Sequence, residues 1–149
     1  MDTFEILSQL CSAAGVSGAE SSAAKTAAKL LEKYGETTLD NALGSVVCKV
    51  GNWEDGKPVM LLDAHIDEIG MIVTYITEDG FLKISGCGGL DTRLLLAQQV
   101  TVYGREKLTG IVTSTPPHLE KDSSAAPDLD SIFIDIGFTS RENVVTECL

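Results

Sequence analysis

The stretch Val59-Met60-Leu61-Leu62-Asp63-Ala64-His65-Ile66-Asp67-Glu68-Ile69-Gly70 decides the fold class. Its first four residues are apolar on both faces, the pattern of a central strand covered by helices, and polarity then enters abruptly at Asp63, His65 and Asp67. Alternate side chains of a strand share a face, so these three are expected to project together at the carboxyl end of a buried strand over Val59 to Ile66, where open α/β sheets place their sites. A histidine two residues from a carboxylate can place one ring nitrogen on a divalent metal while Asp67 holds the other, fixing the tautomer. The same spacing also suits a satisfied histidine at a strand end flanked by two solvent-facing acids, and H-x-D alone does not separate the two.

Upstream the pattern is helical. Phe4, Ile6, Leu7 and Leu10 predict a short helix that Gly15 ends, and Val16-Ser17-Gly18-Ala19-Glu20 reads as a turn with Ser17 as an N-cap. From Glu20 to Tyr34 the stripe Ala24, Ala27, Ala28, Leu31 and Tyr34 predicts a helix packed on a sheet, with Gly35 in the place of a C-cap glycine. Strands are expected at Glu36 to Asp40 and Ser45 to Val50, before the polar turn Asn52 to Gly56.

Downstream of Glu68 the texture is all β. Strands are expected at Ile69 to Ile76, Phe81 to Ser85, Gln99 to Tyr103, Leu108 to Thr113 and Ser131 to Ile136, with a turn at Glu78-Asp79-Gly80. Short strands divided by glycine turns point to a small barrel. Pro116 to Asp130 is expected to be an exposed loop, and Ser140-Arg141-Glu142-Asn143 opens a last helix. The division is therefore 1–67, part of an α/β domain, and 68–149, a β-rich domain.

Composition narrows the function. A chain of 149 residues that is 44% apolar can bury a core. Its net charge of −11, spread along the sequence, disfavours nucleic acid and anionic membranes as partners. Cys11, Cys48, Cys87 and Cys148 are far apart with no C-x-x-C, as expected of reduced thiols in a cytoplasm. No signal peptide or membrane span is legible. With only His65 and His118, a His-rich metal site or a serine triad has little material. Gly86, Gly88 and Gly89 lack the G-K-[ST] of a phosphate loop and read as a strand-linking turn. Asp91 and Arg93 are spaced for a local ion pair, and Cys87 reads as structural.

Leu61 to Val73 as a whole resembles a signature of the M42 family of metallo-aminopeptidases, in which a strand ends in A-H-x-D-E-I-G and a β-rich insert follows. Further landmarks are similar in the same order: Gly15 to Glu20, Glu78 to Leu82, Gly88 to Arg93, Val100 to Gly104, Gly110 to Ser114, Pro116-Pro117-His118-Leu119 and Phe133 to Gly137. Ala97 and Thr92 depart from it, standing where that family commonly has glycine and proline. The resemblance implies the N-terminal part of a zinc-peptidase αβα sandwich followed by a PDZ-like β-barrel insert used in assembly. It implies two divalent ions, zinc or cobalt, at the full-length active site, with His65 as a metal ligand and Asp67 as the catalytic-site acid that supports it. It gives Glu68 no catalytic role, and His118 a structural or assembly contact.

The remaining ligands and general base of that family lie after the insert, so this chain is expected to be the N-terminal portion, inactive alone and without a stable metal complex of its own. The implied partners are peptide substrates and further copies of the chain, dimers building to a larger particle. Two alternatives stand beside this: a non-catalytic oligomerisation module formed by the β-rich half, and a glycoside hydrolase of endoglucanase type, which would need two facing carboxyls.

Overall fold

The computed structural model describes residues 2–40, 42–114 and 126–148. His118 and most of the expected Pro116 to Asp130 loop lie outside the described residues. The chain divides into two compact units, Met1–Glu68 and Ile69–Leu149.

In the first unit, α1 spans Thr3–Cys11, and the backbone N–H of Asp2 donates to Glu5 Oε2 at 3.2 Å, as in a capping box. α2 spans Ser21–Leu31, three residues shorter than its apolar stripe predicts, because the chain turns through Glu32 to Tyr34. Its N-cap is Glu20 rather than Ser17, and Glu20 Oε1 accepts from Gly18 N–H at 2.6 Å. Ala23, Ala24 and Leu30 are its buried residues, and it packs on the antiparallel hairpin of β1 (Glu36–Leu39) and β2 (Val46–Lys49). Gly35 is not a left-handed cap. It is needed because the carbonyl of Lys49 passes so close that a Cβ would overlap it.

The expected central strand over Val59 to Ile66 is absent: residues 58–67 form no strand, and Val59 to Leu62 are between 62% and 87% exposed. A central strand needs a hydrogen-bonded neighbour on each side. Among the described residues the first unit offers only the two-stranded β1–β2 sheet, which does not reach this segment.

The second unit is a five-stranded antiparallel sheet of β3 (Gly70–Ile76), β4 (Leu82–Cys87), β5 (Gln99–Tyr103), β6 (Lys107–Ser114) and β7 (Ile132–Asp135), in the order β3-β4-β7-β6-β5. No ladder joins β3 to β5 among the described residues, so the sheet keeps two edges rather than closing. A bulge after Val73 shifts the β3–β4 register. Ile76, Leu82, Ile84, Val112, Ile132 and Ile134 line one side of the sheet, and Val144 of α3 (Arg141–Cys148) completes that core. α3 is pinned at its start, where Arg141 N–H donates to the Glu78 carbonyl at 3.0 Å and its guanidinium lies 4.9 Å from the centre of the Tyr75 ring.

Candidate metal centre

His65 and Asp67 lie on the strandless segment 58–67, just before Glu68 ends the first unit. The ring Nδ1 of His65 lies 3.1 Å from Asp67 Oδ1 and 3.0 Å from the Asp67 carbonyl oxygen. Two acceptors at Nδ1 favour the tautomer that carries its proton there, which leaves the Nε2 lone pair for a ligand. The imidazole is 86% exposed and the Asp67 side chain 43%, so Nε2 is open to solvent. Asp63, expected to share their face, is exposed and does not join the pair, because without a pleated strand the period of two no longer aligns it.

A divalent ion with nitrogen and oxygen ligands takes four or more donors. The chemistry of the pair fits one of those positions, a neutral imidazole nitrogen braced by a carboxylate. Among the described residues no group of three His, Cys, Asp or Glu side chains converges to supply the others. An open recess of about 560 Å³ lined by Glu36, Lys49, Gly51, Asn52, Trp53 and Glu54 contains neither His65 nor Asp67.

The segment is moored by its last residue. Glu68 N–H donates to the Gly15 carbonyl at 2.8 Å, Gly15 N–H donates to Glu68 Oε1 at 3.1 Å, and Val16 bridges Glu68 in parallel. Gly15 is buried against α2, where Ala23 N–H donates to the Ala14 carbonyl. This mooring is not legible in the sequence, since nothing in either segment marks its partner 53 residues away.

Comparison with known proteins settles the family. The M42 glutamyl aminopeptidase model matches residues 44–147. The chain belongs to the M42 family. Among curated relatives, FrvX, a proposed aminopeptidase of Escherichia coli (strain K12), is 38% identical over 145 residues, which are 94% of this chain and 40% of that protein. The TET aminopeptidase of a marine sediment archaeon, Thaumarchaeota archaeon SCGC AB-539-E09, superposes with a TM-score of 0.88 at 31% identity, covering 98% of this chain and 41% of that one. The TET1 peptidase of Pyrococcus horikoshii, which can assemble into a tetrahedron or a large octahedral shell, gives a TM-score of 0.85 at 29% identity, covering 99% of this chain and 44% of that one. The mixed α/β fold is therefore that of TET aminopeptidases, and the chain spans about two fifths of the length of the curated relatives it matches. Among the described residues, no helix is long and apolar enough to cross a membrane.

Proposed function

We propose that the full-length protein is a metal-dependent aminopeptidase that removes N-terminal residues from peptides, with His65 as one metal ligand and Asp67 as the acid that orients it. The observation that carries this is the 3.1 Å approach of Asp67 Oδ1 to His65 Nδ1, in a chain that belongs to the M42 family. His65 would bind zinc or cobalt through Nε2. Asp67 would hold the Nδ1 proton, fix the ring plane and raise the basicity of Nε2. When bound, a pair of divalent ions supplies an activated water and a polarised scissile carbonyl.

The remaining ligands and the general base would come from outside residues 1–149, so this chain alone is inactive. The second unit would be the PDZ-like insert, serving assembly of the full-length protein into a cytoplasmic homo-oligomer. The particles formed by the Pyrococcus horikoshii TET1 peptidase support that part of the reading.

The test is hydrolysis of chromogenic aminoacyl amides by the protein expressed from its complete reading frame. Release of the N-terminal residue should stop on chelation and return with zinc or cobalt. Turnover indifferent to chelator, or release of reducing sugar from cellulose oligomers in its place, would refute the reading. Chelator-sensitive turnover by residues 1–149 alone would refute the inactivity of this chain.

A further inference from the structure

We propose that Glu68 is a positioning residue, which sets the geometry of the His65–Asp67 pair by clamping its segment to the Gly15 turn. The proposal deepens the reading of His65 as a metal ligand and rests on it for its functional meaning.

Residues 58–67 have no ladder to hold them, so their conformation depends on where they are tied down. Glu68 supplies a tie of two different kinds at one point. Its main chain donates to the Gly15 carbonyl at 2.8 Å, and its side chain accepts from the Gly15 N–H at 3.1 Å. The receiving site is enclosed. Gly15 is buried, and a Cβ built there would come within 3.0 Å of Ala23 Cβ on α2 and 3.4 Å of the Ile66 carbonyl oxygen. The glycine thus lies wedged between a helix and the backbone just before Asp67. Asp67 itself presents two acceptors to one ring nitrogen, the Oδ1 of its side chain and its own carbonyl oxygen. The direction of that carbonyl is fixed by the peptide plane it shares with the Glu68 N–H. Fixing Glu68 N–H on Gly15 therefore fixes the Asp67 carbonyl, and through it the proton on His65 Nδ1. Glu68 acts on the histidine without touching it.

The readout is the tautomer of His65, followed by long-range 1H–15N correlation of the ring nitrogens in residues 1–149 at about pH 8.5, where an ordinary imidazole is neutral. Wild type and Glu68→Gln, whose amide oxygen can still accept from Gly15, should hold the proton on Nδ1. Glu68→Ala, which keeps the main-chain bond and loses the side-chain one, should shift the ring population measurably towards the Nε2–H form that an unrestrained histidine side chain favours, while Trp53 emission shows the first unit still folded. A merely structural role would lower stability without moving the tautomer. If Glu68→Ala unfolds the unit, Glu68→Asp, one methylene short of Gly15, makes the same comparison. The proposal is overturned if the folded Ala or Asp variant keeps the wild-type ring signals, or if wild type itself carries the proton on Nε2. None of this requires a metal, so failure of the metal reading would be seen separately in the metal content of the full-length protein.

Discussion

Gly15 and Glu68, 53 residues apart, hold each other through one hydrogen bond in each direction, at 2.8 Å and 3.1 Å. The space around Gly15 admits no methyl group without displacement: Ala23 Cβ would be 3.0 Å away and the Ile66 carbonyl oxygen 3.4 Å. Gly15→Ala should therefore destabilise the first unit by about 1–3 kcal/mol, the usual cost of overpacking. Urea unfolding followed by Trp53, the one tryptophan of the chain, reports on that unit. An unchanged midpoint would mean that the turn is looser than described.

Ala97 has φ +62°, a left-handed conformation that costs a residue with a Cβ roughly 1–2 kcal/mol. Its N–H donates to the Val112 carbonyl at 2.9 Å and Val112 N–H donates to Gln98, so the β6 backbone holds it there. Ala97→Gly should stabilise the second unit by about 1 kcal/mol. Thermal unfolding followed by far-UV circular dichroism checks this, and a lowered midpoint would contradict it.

Much of the second unit was legible because its strands alternate and its turns carry glycine. The strand expected at Gln99 to Tyr103 has those bounds in the structure, and Gly80 takes φ +87° in the turn expected at Glu78-Asp79-Gly80. The first unit was less legible. Four apolar residues at Val59 to Leu62 look alike whether neighbouring strands cover them or not, so composition alone gave burial where the structure shows exposure. The nearness of His65 and Asp67 follows from a spacing of two. The bond between Glu68 and Gly15 does not follow from any local pattern, since it joins two segments whose residues have no complementary signal. Gly35 stands in the place of a C-cap glycine by sequence, but its role is close approach to Lys49, which is a tertiary fact.

The exposure of Val59, Met60, Leu61 and Leu62 gives residues 1–149 an apolar stretch open to water. The chain should bind a hydrophobic dye such as anilinonaphthalene sulfonate at neutral pH, and Leu61→Glu with Leu62→Glu should remove most of that fluorescence without lowering stability. Equal dye binding by the double variant would locate the apolar surface elsewhere.

Asp40 accepts backbone hydrogen bonds from Ala42 at 3.1 Å and Leu43 at 2.9 Å, and these, the Ala42 bond foremost, hold its carboxyl below the usual carboxylate range. A lowered folded value means that the contribution to the β1–β2 turn is present above the unfolded value of about 3.9 and is lost as pH falls through the folded one. The amide shifts of Ala42 and Leu43 should therefore titrate together with a midpoint below 3.9. A midpoint at or above that value would show that the carboxylate does not cap the turn.

Metal content of the protein expressed from its complete reading frame, measured beside its aminopeptidase rate, tests the role of His65 most directly. His65→Ala should lose bound zinc or cobalt and turnover together, and Asp67→Asn should weaken metal affinity or activity by about 10–100-fold, as the loss of a carboxylate behind a ligating histidine does. A His65→Ala protein with wild-type metal content and wild-type rate would contradict the assignment outright.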